Sequence, residues 1–276
     1  MGFLRKILKK IIKSMGYDLI KKKYVKFSGW GLVSNSYPPW IGFSKNHTFA
    51  NFEKIEKKII EKIRNKKFNL TLFNSDNNSF KKNLNIIKGL GYRHYYIYYS
   101  SLLAYENTKS RNCVECGVCD GLSIFFNVHL HINQLNNKIY LYDSWSEMRS
   151  KDLVKSREKF NIGNYSYLKL ENTINNLRDF KNKIVFNKGY IPEVFKKSKN
   201  PKKISWLHID LNASLPTKKA LEFFYNKLEK KGVILFDDYA WGGYEDTRIC
   251  VDNFFKNKKV IFQHLPTGQA IVIKNE

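Results

Sequence analysis

The sequence lacks any apolar run of the roughly 18 residues that a membrane-spanning helix needs. Its first 23 residues are basic throughout, and they have neither the long apolar core nor the small-residue cleavage site of a signal peptide. These two absences predict a cytoplasmic protein. Hydrophobic residues nevertheless make up 43% of the 276 residues and aromatic residues 15%, which excludes a disordered chain and predicts a globular protein with a sizeable core.

Acidic residues are scarce. The chain has 24 Asp and Glu against 49 Lys and Arg, and its formal net charge is +25. Such a composition fits either a solvated lysine-rich surface or attraction to an acidic partner, such as nucleic acid, anionic lipid or a phosphorylated substrate. Because the sequence contains no recognisable nucleic-acid module, nucleic acid is the less favoured partner.

Cysteine is also scarce, and three of the four residues lie close together, as Cys113, Cys116 and Cys119. This spacing is similar to part of a metal-binding motif. Cys113 and Cys116, however, fall in a predicted β-strand, where residues three positions apart lie about 10 Å apart and point to opposite faces. A single zinc ion with ligands at about 2.3 Å cannot bridge that distance. We therefore interpret them as buried thiols.

The first 23 residues combine apolar side chains at helical spacing with lysine and arginine on the other side. This pattern predicts a basic amphipathic helix over residues 1–23. Such a helix either lies on an anionic membrane surface, as a peripheral contact, or packs on the rest of the protein. Residues 24–110 are predicted to form a helical cap or lid, with helices at about 50–66 and 91–109.

From residue 112 onward, short apolar runs alternate with amphipathic stretches. The apolar runs lie at 112–116, 139–142, 184–186, 204–210, 233–236, 260–264 and 270–273. Helical patterns fill the gaps at about 121–133, 147–160, 215–230 and 245–256. This alternation predicts βαβ units and a mostly parallel sheet. The last two runs are joined only by Leu265-Pro266-Thr267-Gly268, too short for a helical crossover, so they are predicted to pair antiparallel.

The first candidate site is the turn from Gly117 to Gly121, which follows a predicted strand and precedes a helix. Glycines let the backbone pass close to a ligand, and the helix start offers free N–H groups. Glu115 and Asp120 would repel a pyrophosphate, so the turn favours a cationic cofactor without phosphate over a dinucleotide. Asp143 ends the next strand, at the spacing where an acid accepts hydrogen bonds from ribose hydroxyls. The alternative for Asp143 is a helix cap.

The second candidate site is a group of acids at the ends of two later strands. Asp210 ends the run 204–210, and Asp237 and Asp238 follow the run 233–236. Both strands are predicted to finish at the same edge of the sheet, which would bring the three carboxylates within reach of one hard cation such as magnesium. The alternative is a loop of solvated acids.

Six segments, taken together and in order, resemble the macrocin O-methyltransferase family of class I methyltransferases, which methylate sugar hydroxyls on macrolides and related glycosides. The segments are VECGVCDGLS (114–123), YDSW (142–145), KGYIPE (188–193), LHIDLN (207–212), GVILFDDYAW (232–241) and LPTGQA (265–270). The resemblance runs from about residue 90 to the end. It implies an α/β class I methyltransferase fold, with a Rossmann-like sheet of seven strands, the last antiparallel, and helices on both faces. The methyltransferase domain would then occupy residues 111–276, behind the N-terminal helical extension.

The resemblance also implies S-adenosylmethionine and magnesium as cofactors. The residues that would line the methionine side of S-adenosylmethionine are Glu115, Gly117, Asp120, Gly121 and Ser123. Asp143 would hold the ribose of the cofactor. The residues that match the metal ligands of the family are Asp210, Asp237 and Asp238.

One position departs from the family. The family has a second acid two residues after the first metal ligand, where it acts as a general base, and this chain has Asn212 there. An amide cannot take the proton. His208, two residues before Asp210, is one replacement, and a metal-bound alkoxide that needs no strong base is another.

The sequence therefore predicts methyl transfer from S-adenosylmethionine to a sugar hydroxyl, with the metal as Lewis acid. One alternative is a metal-independent methyltransferase with His208 or His264 as general base. Another is a non-catalytic nucleoside-binding module whose basic surface docks on an anionic surface. The sequence specifies neither the acceptor nor the oligomeric state, and a homo-oligomer is compatible with it.

Overall fold

The computed structural model describes residues 48–66, 68, 70, 80–131 and 138–276. The amphipathic helix predicted for residues 1–23 lies outside the described residues, as does the segment 24–47. The chain divides into two compact units, Met1–Ser44 and Lys45–Glu276, and all elements below belong to the second unit. Within the described ranges, we find no helix that combines the length and the apolar character needed to cross a bilayer.

Helices and strands alternate from residue 91 onward. The α-helices are α1 (Thr48–Asn65), α2 (Phe80–Lys88), α3 (Gly91–Asn107), α4 (Leu122–Leu130), α5 (Leu170–Asn176), α6 (Ser214–Phe224) and α7 (Glu245–Phe255). The strands are β1 (Cys113–Cys116), β2 (Ile139–Asp143), β3 (Ile184–Lys188), β4 (Ile204–Ile209), β5 (Leu228–Phe236), β6 (Val260–His264) and β7 (Ala270–Lys274). All seven predicted strands are therefore present.

The strands form one sheet in the order β3-β2-β1-β4-β5-β7-β6. Strands β1 to β5 pair parallel with one another, whereas β7 runs antiparallel to both β5 and β6. This confirms the predicted mixed sheet with its last strand antiparallel. It also confirms the antiparallel pairing that the short Leu265–Gly268 connection predicted.

Hydrophobic residues fill a separate core on each face of the sheet, because successive strand residues point to opposite faces. One core contains Cys113 and the apolar faces of α1, α2, α3 and α4. The other contains Cys116 and side chains from α6 and α7. Helices thus cover both faces, as predicted, and Cys113 and Cys116 do point to opposite sides. The described helices of the predicted 24–110 cap share a hydrophobic core with the sheet.

Residues 147–160 were predicted to be helical, and this prediction was wrong. The chain instead forms two short 3₁₀ helices, Ser150–Asp152 and Ser156–Asn161. The Glu158 carboxylate accepts hydrogen bonds from the backbone N–H groups of Lys155 and Ser214, so it ties this segment to the start of α6. Phe160 is 60% exposed, so the apolar residues of the segment do not form a buried stripe.

Two further differences concern helix ends and short helices. The helix predicted for 215–230 ends at Phe224. A single 3₁₀ turn follows, and strand β5 then begins at Leu228, which is buried in the sheet core. Helices α2 and α5 were not predicted. They have nine and seven residues, so each offers few turns in which an apolar period can be recognised.

Candidate active site

A cavity of about 820 Å³, counted with its opening to solvent, lies at the carboxyl ends of β1, β2 and β4. Its lining includes Gly117, Asp143, Ser144, Tyr190, Asp210 and Asn212. We call it the main cavity. In open α/β sheets, ligands bind at this edge, where the strand order reverses. The structure thus brings the predicted glycine turn, the predicted ribose acid and the first predicted metal ligand to one cavity.

A second, smaller cavity of about 410 Å³ adjoins the glycine turn. It is lined by Arg93, Asp120, Ser123 and Leu70 among others, and it shares Gly117, Cys119 and Asp210 with the main cavity. We call it the side cavity. Asp120 and Ser123, predicted to line the cofactor site, are placed here. Because Asp210 borders both cavities, a molecule bound in the main cavity and a molecule bound in the side cavity would meet at its carboxylate.

The two glycines of the turn are required by packing. Gly117 has φ +84°, and a Cβ there would lie 1.7 Å from the carbonyl oxygen of Asp210. Gly121 has φ +83°, and its Cβ would lie 3.0 Å from Leu177 and 3.1 Å from Thr173. Glycine is the residue that tolerates such a conformation at close approach. Gly117 therefore lets the end of β1 press against the end of β4, which closes the floor of both cavities.

Asp143 holds the glycine turn in place. Its Oδ2 accepts hydrogen bonds from the backbone N–H groups of Val118 at 2.7 Å and Cys119 at 2.9 Å. Its Oδ1 accepts one from the N–H of Trp145 at 2.7 Å. Burial raises the pKa of Asp143, although these backbone bonds counteract the shift. The carboxylate therefore joins the ends of β1 and β2 while it borders the main cavity.

Three non-glycine residues just after these strands have left-handed backbones: Cys119 (φ 52°), Trp145 (φ 43°) and Asn212 (φ 54°). Each such residue costs of order 1 kcal/mol, and such residues concentrate at functional sites. The Trp145 indole N–H donates to the Cys119 carbonyl at 3.0 Å and to Thr173 Oγ1 at 2.9 Å. These bonds hold the turns after β1 and β2 together around the main cavity.

Glu115 and His208 form a buried pair beneath the cavities. Glu115 Oε1 lies 2.8 Å from His208 Nδ1, and both side chains are almost fully buried. Burial lowers the pKa of His208, but the carboxylates of Asp237 and Glu115 outweigh it and raise this pKa to about 10. Neither residue borders the two cavities described above. We predicted that Glu115 contacts the cofactor and that His208 acts as a base. Each role requires the side chain to reach a ligand in one of the cavities, and in this geometry neither side chain does.

His264, the other candidate base, lies elsewhere. Its side chain is exposed, and its Nε2 lies 3.3 Å from the hydroxyl of Tyr239. It borders neither the main nor the side cavity. The geometry therefore offers His264 no contact with a ligand in either cavity.

Two of the three acids of the predicted acid cluster come together with a histidine. Ligand atoms of Asp210, Asp237 and His208 all lie within 4.8 Å of one another. Asp238 also lies at this edge, and burial and the nearby carboxylates of Asp210 and Asp237 raise its pKa well above the usual range. The same two effects, burial and the Asp237 carboxylate, raise the pKa of Asp210 to about 7. Like charges held together in a poorly solvated site produce such shifts.

An arginine that the sequence did not reveal enters this cluster. Arg93, in the first turn of α3, donates from Nε to Asp237 Oδ1 at 2.8 Å. Its Nη2 donates to Asp210 Oδ2 at 3.1 Å and also to Asp237 Oδ2. The guanidinium therefore binds Asp237 with two nitrogens and bridges to Asp210. The available signal was a single arginine within the tyrosine-rich helix GYRHYYIYYS, which does not indicate its partners.

This arrangement does not fit the predicted magnesium ion. Asp210, Asp237 and Asp238 would all have to point oxygens toward one cation. Arg93 already donates hydrogen bonds to oxygens of two of them, Asp210 and Asp237. The donor atoms that lie within 4.8 Å of one another include the imidazole of His208, whereas magnesium takes oxygen ligands. Asp238 Oδ2 is buried without a hydrogen-bond partner among the described residues.

A second group missed by the sequence lies at the opposite rim of the main cavity. The Arg149 guanidinium lies 3.6 Å from the ring centre of Tyr190 and donates to Asp152 at 2.7 Å. It also donates to Glu193 at 3.1 Å. A planar cation stacked on an aromatic ring gives this rim a flat, partly charged wall.

The family described as a methyltransferase domain matches residues 114–239, which span the glycine turn, Asp143 and the acid cluster. The chain is an S-adenosylmethionine-dependent methyltransferase. No curated protein matches the chain by sequence. The match begins in β1 and ends just after β5, so it includes the strand ends that border both cavities.

Solved structures support the same fold. The O-methyltransferase NovP aligns with a TM-score of 0.56 and 16% identity, over 67% of this chain and 80% of NovP. The calicheamicin methyltransferase CalS11 aligns with a TM-score of 0.54 and 15% identity, over 80% of this chain and 93% of CalS11. The methyltransferase PaMTH1 of Podospora anserina, solved with S-adenosylhomocysteine, gives 0.50 and 10%, over 86% and 98%. This methyltransferase therefore has the class I, Rossmann-like fold that the resemblance implied.

Proposed function

We propose that this methyltransferase transfers a methyl group from S-adenosylmethionine to a hydroxyl oxygen of a sugar or a glycosylated acceptor. The observation that carries the proposal is the position of Asp210, which borders both the main cavity and the side cavity. Transfer requires the sulfonium methyl and the acceptor oxygen to be held in line and close together, which supplies much of the rate gain.

Two comparisons support oxygen as the acceptor atom. NovP is described as an O-methyltransferase, and an apo structure of CalS11 is described as a TDP-rhamnose 3′-O-methyltransferase. The six sequence segments that resemble the sugar O-methyltransferases point in the same direction. The sugar named in the description of CalS11 supports a sugar hydroxyl as the acceptor class of this chain.

In this proposal, the main cavity holds the nucleoside part of the cofactor. Asp143 would accept hydrogen bonds from the ribose hydroxyls, since its carboxylate borders the cavity and has acceptor capacity beyond its three backbone bonds. Gly117 and Gly121 would let the methionine part pass over the turn toward Asp120 and Ser123. The acceptor would then approach Asp210 where the two cavities join.

Asp210 is the proposed proton acceptor. The hydroxyl must lose its proton as the oxygen takes the methyl group, and a base with a pKa near the working pH does this best. Burial raises the pKa of Asp210 to about 7, and its side chain is 22% exposed at the junction of the cavities. The amide of Asn212, which donates to Asp210 Oδ1 at 3.3 Å, would orient this carboxylate. Magnesium, implied by the resemblance, takes no part in this proposal because Arg93 occupies the carboxylates.

A ligand-binding experiment followed by a turnover experiment tests the proposal. We expect S-adenosylmethionine and S-adenosylhomocysteine to raise the melting temperature of the full chain, and NAD to leave it unchanged. We then expect methylated product from nucleotide-activated sugars, detected by mass spectrometry. Tight S-adenosylhomocysteine binding without turnover on any sugar acceptor would contradict the proposal and support the non-catalytic binding module instead.

A further inference from the structure

The position of Arg93 distinguishes this acid cluster from a simple group of carboxylates. Three hydrogen bonds join one guanidinium to Asp210 and Asp237, and they run from two different nitrogens. Arginine binds carboxylates with two nitrogens in a fixed planar geometry, and such charge-assisted bonds are among the strongest in proteins. The Nη2 atom lies between the two carboxylates, which is where a bridging cation would have to lie.

The backbone that carries Arg93 is fixed by its neighbour. His94 is buried, and its Nδ1 lies 2.9 Å from Glu56 Oε1 on helix α1. The His94 ring stacks on Phe126 of helix α4, with 3.8 Å between ring centres. The first turn of α3 is thus anchored to two other helices. Its arginine therefore reaches the cluster from a rigid base, and not from a loop.

The carboxylates of Asp210 and Asp237 already accept hydrogen bonds on both of their oxygens. Asp237 Oδ1 accepts from both Arg93 Nε and Gln269 Nε2, the latter at 3.0 Å. Asp210 accepts from Arg93 on one oxygen and from the amide of Asn212 on the other. Asn212 contributes a neutral amide to the cluster, and Arg93 contributes a guanidinium. The positive charge of Arg93 lowers the net negative charge of the cluster and so weakens its attraction for a divalent ion.

We propose that Arg93 is the resident cation of the acid cluster, so that a guanidinium fills the place of a divalent metal in this chain. Magnesium binds at about 2.0–2.1 Å in near-octahedral geometry and gives up its waters reluctantly, so it competes poorly with a preformed two-nitrogen contact. Arg93 is then a positioning residue, which holds Asp210 at the junction of the cavities. Only this positioning role rests on the proposed function; the occupancy of the cluster does not.

Manganese binding tests the occupancy without any turnover. The full chain, with S-adenosylhomocysteine added, is titrated with Mn²⁺, and the free ion is measured by electron paramagnetic resonance. We expect the wild-type chain to bind no Mn²⁺ at the cluster up to about 1 mM, a concentration that corresponds to weak binding. We expect Arg93→Gln to bind one Mn²⁺ at least about tenfold more tightly than the wild-type chain does, since the variant lacks the bidentate charge pair between Arg93 and Asp237.

The control variant is Arg178→Gln, which removes the same charge from an exposed position. It should bind Mn²⁺ as the wild type does, which separates the local effect from the change in net charge. One Mn²⁺ bound tightly by the wild-type chain and lost in Asp237→Asn would overturn the proposal. A folded Arg93→Gln variant, checked by circular dichroism, that gains no Mn²⁺ would overturn it as well. If that variant does not fold, the wild-type titration decides alone.

Discussion

The glycine turn and the acid cluster lie at the same edge of the sheet, but they are built in different ways. The turn is held by nearby backbone: Asp143 binds the N–H groups of Val118 and Cys119, and Gly117 packs directly against the backbone of Asp210. The acid cluster is held by a side chain from a distant helix, since Arg93 and Asp210 lie 117 positions apart along the chain. One half of the site is thus held mainly by contacts with the main chain, and the other mainly by side-chain contacts, those of Arg93 above all.

This difference predicts that the two halves fail differently. Damage to the turn should affect folding and cofactor binding, because the same backbone shapes the sheet end and the main cavity. Damage to the cluster should reduce the rate and leave cofactor binding intact. Three substitutions test this separation, from the largest expected effect to the smallest, and a pH titration then tests the helical layer.

Replacing Gly117 by Ala should have the largest effect. Its Cβ would lie 1.7 Å from the Asp210 carbonyl oxygen, so β1 and β4 must move apart, and we expect a loss of more than about 3 kcal/mol in the free energy of unfolding. Urea denaturation measures this loss. The matched control is Gly163→Ala, which also has positive φ (+78°) but no atom within 4 Å of its Cβ, and which should cost only about 1 kcal/mol. Equal losses in the two variants would contradict the packing role of Gly117.

Replacing Asp237 by Asn should lower kcat roughly 100-fold, because it breaks the bidentate contact with Arg93 and leaves that guanidinium without its main partner. The dissociation constant for S-adenosylhomocysteine should stay within about twofold, a change worth less than 1 kcal/mol. Steady-state kinetics and calorimetry give the two numbers. A variant that loses cofactor affinity to the same degree as rate would refute the separation of the two halves.

Replacing Asp143 by Asn gives the complementary result. An amide has one acceptor oxygen where the carboxylate has two, so the variant cannot keep all three backbone bonds and also bind a ribose. We expect S-adenosylhomocysteine to bind about tenfold more weakly, with a smaller change in kcat at saturating cofactor. Calorimetry measures the affinity, and unchanged binding would argue against the ribose role of Asp143.

Lowering the pH should act on the helical layer as well as on Asp210 in the site. Burial lowers the pKa of His131 from 6.5 to about 4, so the unfolded chain binds more protons between these two values. Stability is therefore present above about pH 6.5 and is lost as the pH falls toward 4. We expect a loss of about 1 kcal/mol between pH 7 and pH 5.5 from this group. His131→Gln should flatten the pH dependence of the unfolding free energy, and an unchanged slope would contradict it.

Local patterns predicted much of the fold and one half of the site. The seven strands, the antiparallel last pair and the glycine turn depend on periodicity and on short loops, which the sequence displays directly. The convergence of Asp210, Asp237 and Asp238 followed from the shared direction of parallel strands. The irregular segment at 147–160 was not predicted because its key contact, between Glu158 and the N–H of Ser214, joins residues 56 positions apart in the sequence.

The remaining features of the site depend on packing between distant segments. Side chains along β1 and β4, including Glu115 and His208, point alternately to the two faces of the sheet. Which of these side chains lie beneath the cavity depends on how the two strands pair in the sheet. Arg93 lies 144 residues from Asp237, and nothing in its local sequence indicates a carboxylate partner. The resemblance to the macrocin O-methyltransferase family also could not reveal the role of Arg93, because this residue lies outside the six segments that carry the resemblance.

The most direct test of the account is methyl transfer to a nucleotide-activated sugar, such as TDP-rhamnose, measured in parallel with excess EDTA and with added magnesium. The acceptor and S-adenosylmethionine are mixed with the full chain, and S-adenosylhomocysteine is quantified by mass spectrometry. We predict equal rates in the two conditions, because Arg93 provides the positive charge of the acid cluster. Activity abolished by EDTA and restored by magnesium would contradict the account.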